Sequence, residues 1–281
     1  MSSTSGKLWV TATPLGNPGD LSPRAREILG GVALVLAEDT RRSGLLLRAC
    51  GVTAKRFVSL HDHNEKNRLA PILDELRAGA EAALISDAGT PLISDPGFQL
   101  VKACREQGIA VSPVPGPCAP VAALSASGIA PLPFAFLGFP PRSKGDIRQF
   151  FAPYAALALT LIFFERKDRL LPTLDIARAV LGNRAGCIAR EMTKTYEEFI
   201  FFSLGENLQK ALQGHEMLGE ATLILGPPSA AAVTPEPEVL AIIAEHARLF
   251  PDRKPRDMAR AVRCDVTGWS VGDIYALLRR S

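Results

Sequence analysis

Apolar residues in this chain come in short blocks separated by polar, Gly- and Pro-rich turns. Residues 7–13, 33–37, 82–85 and 109–114 read as strands, 33–37 as an almost continuous apolar stretch. Such stretches suit strands buried on both faces, as in a parallel sheet. Helical patterns lie between them. Ser22 followed by Pro23 predicts an N-cap with proline at the first helical position, and Gly30-Gly31 ends that helix. A short helix reaches Cys50, a strand covers 57–60, and Asn64 caps a helix through Leu76 that Pro71 should bend or break. Helices over 98–107 and 119–127 follow. Strands alternating with helices at these lengths predict βαβ units and an α/β fold with a parallel sheet.

The pattern changes after Gly128. Pro131 and Pro133 read as a linker, and 134–139 as an aromatic strand. Further strands are predicted over 159–164, 186–190, 198–202 and 221–225, with helices over 170–181 and near Leu208. These strands need not be parallel, so a mixed second sheet is expected. A second linker runs from Pro227-Pro228 to Pro237, and the tail from 239 to 281 is helical, divided near Pro255 and Gly268. The expected organisation is a disordered start (1–6), an N-terminal α/β domain (7–130), a second α/β domain (131–227) and a helical tail (228–281).

Composition adds limits. About half of the 281 residues are apolar (47%), enough for a sizeable core, and the net charge of +3 permits a nucleic-acid partner without arguing for one. Five scattered cysteines without a C-x-x-C pair read as reduced thiols. The polar first residues lack the apolar stretch of a signal peptide, and no apolar stretch is long enough to span a bilayer. A cytoplasmic protein with no membrane partner is expected.

The chemistry concentrates where strands end. Neither a P-loop nor a strand-linked G-x-G-x-x-G is present. Instead Pro14-Leu15-Gly16-Asn17, Ala88-Gly89-Thr90-Pro91 and Pro115-Gly116-Pro117-Cys118 follow three strands. Such turns present backbone groups, which suit a flat, polar, adenosine-like ligand at the carboxyl edge of an open sheet. The middle turn opens a doubled pattern, Ile85-Ser86-Asp87-Ala88-Gly89 and Ile93-Ser94-Asp95-Pro96-Gly97. Its first copy reads as the ligand cradle, its second as the cap and first turn of the next helix. Glu38-Asp39-Thr40-Arg41-Arg42 ends another strand; its carboxylates could take a proton and its arginines hold phosphate, or it is a solvated helix start. His61 and His63 share a strand face, but with no third ligand evident they read as a substrate-facing segment before a metal site. Arg142-Ser143-Lys144 reads as a flexible basic loop, and the many phenylalanines, Phe139 and Phe164 among them, as core.

These blocks, with Ala37-Glu38-Asp39-Thr40-Arg41 and Leu124-Ser125-Ala126-Ser127-Gly128-Ile129 in the same order and spacing, resemble the ribosomal RNA small subunit methyltransferase I family. That family belongs to the tetrapyrrole-methylase-like (class III) superfamily. The resemblance covers roughly 7–227. It implies a two-domain α/β fold, a homodimer, and S-adenosyl-L-methionine bound in the cleft between the domains. It also implies methyl transfer to the ribose 2′-hydroxyl of a cytidine in 16S rRNA at the decoding centre of the small ribosomal subunit, with no metal. Cofactor contacts are implied at Pro14, Leu15, Gly16, Ala88, Gly89, Thr90, Ile93, Cys118, Ala119, Glu165 and Met192, and near the strand before Gly226. Glu38 matches the proposed base, and Arg24, Arg41, Arg42, Arg142 and Lys144 are the expected RNA contacts. One block departs: Glu165-Arg166-Lys167-Asp168-Arg169 stands where the family usually has Glu-Ser-Pro-His-Arg. The rivals are a methyltransferase of the same fold acting on a tetrapyrrole or corrinoid precursor, and a non-catalytic ribosome-binding protein.

Overall fold

The structure is a computed structural model in which residues 6–61, 64–215, 219–228 and 234–279 are described. The first five residues of the expected disordered start, His63 of the histidine pair, and part of the second linker lie outside the described residues. The chain forms two compact units, Met1–Pro227 and Pro228–Ser281.

The first unit holds two five-stranded sheets. The N-terminal sheet contains β1 (Lys7–Thr11), β2 (Leu34–Ala37), β3 (Phe57–Ser59), β4 (Ala82–Leu84) and β5 (Ala110–Val114) in the order β3-β2-β4-β1-β5, all parallel. The crossovers are α1 (Pro23–Gly31), α2 (Thr40–Ala49), α3 (Glu65–Arg77) and α4 (Phe98–Glu106), and α5 (Ala119–Ala126) leaves the sheet. Every residue of β2 and β4 is buried, as expected of parallel strands covered on both faces. One face packs Leu8, Leu34, Leu36 and Leu84 under α3 and α4; the other packs Val35, Ala37 and Val114 against Leu29 and Leu47. The predicted N-cap is present: Ser22 Oγ accepts from the Ala25 N–H at 3.1 Å, with Pro23 following.

The second sheet holds β6 (Phe134–Phe136), β7 (Thr160–Arg166), β8 (Arg184–Arg190), β9 (Glu198–Ser203) and β10 (Glu220–Pro228) in the order β6-β7-β10-β8-β9. It is mixed: β6 runs parallel to β7, while β10 is antiparallel to β7 and β9 to β8. Helices α6 (Lys144–Phe151), α7 (Leu170–Leu181) and the short α8 (Leu208–Ala211) accompany it. Its core gathers Phe151, Phe163, Leu174, Ile188, Leu223 and Leu225. Arg184, fully buried, donates to the carbonyls of Leu159, Gly226 and Tyr154 at 2.8–3.0 Å, and burial lowers its pKa.

The second unit contains α9 (Glu236–Leu249), α10 (Pro255–Asp265) and α11 (Val271–Leu278) around Val239, Ile243, Met258, Val262, Ile274 and Leu277.

Four local expectations change. Helix α3 runs through Pro71 unbroken, because Pro71 faces solvent while Ile72, Leu73 and Leu76 bury against the sheet. The aromatic strand stops at Phe136, two residues before Gly138 takes φ +70°. The basic loop is the start of a helix: Ser143 Oγ accepts from the Asp146 N–H at 3.2 Å and donates to Asp146 Oδ2 at 2.7 Å. Gly97, at φ +117°, is the N-cap of α4, so Ser94 to Gly97 lead up to the helix instead of forming its first turn. In the tail the expected divisions hold, with α9 ending at Leu249, Pro255 opening α10, and α11 starting after Gly268.

Candidate active site cleft

Strands β4, β1 and β5 are neighbours, so the three Gly/Pro turns at their carboxyl ends lie side by side. They are laced together. The Thr13 N–H donates to the Gly89 carbonyl at 2.9 Å, and the Gly89 N–H returns to Thr13 at 3.1 Å. Thr13 Oγ1 donates to the Ser86 carbonyl and Ser86 Oγ to that of Gly89, both at 3.1 Å. Thr90 Oγ1 donates to the Pro117 carbonyl at 2.9 Å, tying the second turn to the third. Gly89 sits at φ +83°, and a Cβ there would come within 3.1 Å of Leu15 Cδ2. At Gly116 a Cβ would stand 2.9 Å from that of Ala12. The glycines allow backbones to approach where side chains would collide.

The opposite wall comes from the second sheet: Phe139, Phe164 at the end of β7, Ala189 and Met192 at the end of β8, and residues 220–222 at the start of β10. Between the walls lies an open cleft of about 800 Å³, within the range of small-molecule sites. The loop after β8 reaches across. The Asn17 N–H donates to Thr193 Oγ1 at 3.1 Å, and Lys194 Nζ pairs with Glu191 Oε1 at 3.0 Å. A Cβ on Gly16 would fall 2.3 Å from Lys194 Cγ, so any larger residue there would have to displace that side chain. Among the described residues, four that are not glycine have left-handed backbone: Leu92, Ser94, Glu191 and Thr193, at φ +49° to +69°. Two come from each loop facing the cleft, the distribution expected when strain is held at a binding site.

Four carboxylates line the cleft, Asp87, Asp95, Glu191 and Glu220, against two cations, Arg42 and Lys194. Asp87 follows β4. Its Oδ2 accepts from Arg42 Nη1 at 3.1 Å, and its Oδ1 is buried without a hydrogen-bond partner. Arg42 is 75% exposed at its side chain, so this pair is a loose one. Asp39 is the N-cap of α2: the backbone N–H groups of Arg42 and Arg41 donate to its carboxylate and hold its pKa below the usual range.

Of the residues expected at a cofactor site, Leu15, Ala88, Gly89, Thr90, Ile93, Cys118, Ala119 and Met192 line the cleft together. Pro14 is buried at the start of the first turn, and Gly16 lies under Lys194. Glu165 is fully buried and turned inward; its Oε2 accepts from Thr173 Oγ1 at 2.6 Å and pairs with Arg169 at 3.2 Å. The strand that ends near Gly226 contributes its opposite end, residues 220–222. Glu38 is exposed after β2 and is not among the cleft-lining residues. Of the expected RNA contacts, Arg42 alone lines the cleft. Arg24 lies over the Trp9 ring, 5.4 Å from its centre, while Arg41, Arg142 and Lys144 are exposed at helix starts. Sequence reading missed Asp87, whose neighbours supplied the visible Gly/Pro signal, and Phe139 and Phe164, assigned to the core. Phe139 is 41% exposed.

Residues 7–207 match the family described as Tetrapyrrole (Corrin/Porphyrin) Methylases. A Haemophilus influenzae protein named Ribosomal RNA small subunit methyltransferase I is 41% identical over 279 residues, spanning 98% of this chain and 97% of that protein. An Escherichia coli O157:H7 protein of the same name is 48% identical over 205 residues, 72% of this chain and 71% of the relative. Among solved structures, Uroporphyrin-III C-methyl transferase from Thermus thermophilus complexed with S-adenyl homocysteine is similar in fold, with TM-score 0.55 and 21% identity over 79% of this chain and 97% of that one.

Proposed function

Because this chain belongs to the tetrapyrrole (corrin/porphyrin) methylase family and, within it, with the ribosomal RNA small subunit methyltransferase I proteins, we propose that it methylates the ribose 2′-hydroxyl of a cytidine in 16S rRNA at the decoding centre, with S-adenosylmethionine as donor. The observation that carries this reading is the lacing of three turns on adjacent strands into one rigid wall of a cleft. The residues fit the cofactor. Backbone groups at Gly89 and its neighbours suit the edges of an adenosine, the glycine cradle keeps side chains out, and cleft carboxylates suit a cationic ligand. Leu15, Ala88, Gly89, Thr90, Ile93, Cys118, Ala119 and Met192 would hold it. When bound, S-adenosylmethionine supplies a methyl group on a positively charged sulfur.

The protein's part is positioning and proton transfer. Fixing a nucleophile beside its target can contribute about 7–11 kcal/mol, and the laced turns leave little to reorganise. The hydroxyl proton needs an acceptor. Of Glu38 and Asp87, which both follow strands of the N-terminal sheet, only Asp87 lines the cleft; because it adjoins the laced turn Ala88-Gly89-Thr90, the proton is assigned to Asp87 Oδ2 ahead of Asp95, Glu191 and Glu220, with Arg42 released to a backbone phosphate. Arg24, Arg41, Arg142 and Lys144 grip phosphates further out. The assigned division is 7–130 for the cofactor half, 131–227 for the substrate wall and 228–281 for the tail. The working form is a cytoplasmic homodimer on the small subunit.

The deciding experiment incubates the protein with labelled S-adenosylmethionine and small subunits from a strain lacking it, then maps 2′-O-methyls on 16S rRNA. Label on a cytidine ribose is expected. Label only on a tetrapyrrole precursor overturns the substrate, and no calorimetric binding of S-adenosylmethionine overturns the chemistry.

A further inference from the structure

Phe139 is an exposed aromatic ring whose backbone is tied on both sides. It lines the cleft at 41% exposure, and its ring leans on Phe164 with centroids 5.2 Å apart and planes at 52°. Phe164 leans in turn on Phe136, edge-to-face at 5.0 Å. Three rings thus form a ladder whose last member faces the cleft. The backbone is fixed on both sides. Before Phe139, the Gly138 carbonyl accepts from the Phe164 N–H at 2.9 Å. After it, the Pro140 and Pro141 carbonyls accept from Arg169 Nη2 at 3.1 and 2.5 Å. Arg169 is itself anchored on the fully buried Glu165. The two ends of the Glu165-to-Arg169 block therefore act on Phe139, by fixing the segment that follows it.

Hydrophobic burial does not account for this arrangement, since the ring's outer face meets water. Its neighbours indicate what it meets instead. Arg142 and Lys144 follow within five residues, exposed at the start of α6, and Arg42 and Lys194 line the same cleft. An aromatic face with cations a few residues on is the combination that holds unpaired nucleotides, the ring taking the base and the cations the phosphates. The base of a nucleotide methylated inside a folded RNA must leave its stack to enter a cleft. The adenosine-suited turns belong to the other wall, which leaves this face for a second ring system.

We propose that the exposed face of Phe139 is the stacking platform for the extruded base of the nucleotide whose ribose is methylated. This rests on the methyl-transfer reading above. The test compares Phe139→Ala, Phe139→Leu and Phe139→Tyr, measuring kcat/KM on unmethylated small subunits and S-adenosylmethionine affinity by calorimetry. Stacking on one base is worth about 1–3 kcal/mol, so Ala and Leu should each lose roughly ten- to hundredfold in kcat/KM. Tyr should stay within about threefold of the parent, and cofactor affinity should hold in all three. A Leu variant as active as the parent overturns the proposal, since apolar bulk would then suffice. A matching fall in S-adenosylmethionine affinity overturns it too, by giving the ring to the adenine. In both cases the parent still methylates rRNA, so the functional reading stands. A parent that leaves small subunits unmethylated removes that reading and the proposal with it.

Discussion

At the scale of single residues, the cleft depends on positions where one atom decides. Gly89 combines φ +83° with a neighbour 3.1 Å from any added Cβ. Gly89→Ala should destabilise the protein by about 1–2 kcal/mol, the cost of left-handed backbone for an L-residue, and weaken S-adenosylmethionine binding. The urea midpoint and a calorimetric titration measure the two effects. The carboxylates allow a sharper contrast. Asp87→Asn should keep cofactor affinity and lower single-turnover methylation at least a hundredfold, the lower end of what general bases contribute. Glu38→Gln should stay within a few fold of the parent. The reverse result returns the proton to Glu38. Part of this site was legible in the chain because Gly and Pro announce backbone shape, and the backbone of Ala88-Gly89-Thr90 is what the cleft uses. Asp87, Arg42 and Phe139 were harder to place, because a side chain's direction depends on the element opposite. Glu165 shows the converse: a carboxylate in a motif that folding turns inward to anchor Arg169.

At the scale of elements, the second sheet carries a pH-sensitive join. Glu198 on β9 accepts from Arg190 on β8 at 2.7 Å and pairs with His215 Nδ1 at 2.7 Å. Burial raises the Glu198 pKa, but the hydrogen bonds from His215 and Arg190 outweigh it and leave the pKa lowered. A carboxylate with a depressed folded-state pKa stabilises the fold above the unfolded value, about 4.3 for Glu, and loses that contribution as the pH falls through the folded value. Urea midpoints taken from pH 6 down to pH 3 should therefore fall, and Glu198→Gln should flatten part of that slope. An unchanged slope would show that the join contributes nothing to stability. The elements themselves were largely readable, since apolar blocks buried on both faces leave few alternatives to a parallel sheet. Two of the exceptions share a cause. Pro71 and Ser143 carry local signals for a break and a cap, and whether such a signal is obeyed depends on what lies beneath: a buried face under α3, and Ile147 and Phe151 in the core for α6.

At the scale of the whole molecule, the chain has separate cores. Val239, Ile243, Met258, Val262 and Ile274 pack with one another inside the second unit. Calorimetry should show two unfolding transitions, and S-adenosylmethionine should raise only one, because a ligand stabilises the unit that binds it. A single transition raised as a whole would show the two units to be coupled. Among the described residues no helix is long and apolar enough to cross a membrane. The strand order β3-β2-β4-β1-β5 was not legible in the chain, because pairing partners lie far apart in sequence. That order bears on how the protein is made. Strand β1, made well before its partners, sits between β4 and β5, and Leu8 finds its neighbours at Ala82 and Val111. At about 5–20 residues per second, β1 must wait several seconds, unpaired and apolar, for the chain that will enclose it. During synthesis the strand at the centre of the cleft wall thus stays unpaired until both of its neighbours have been made.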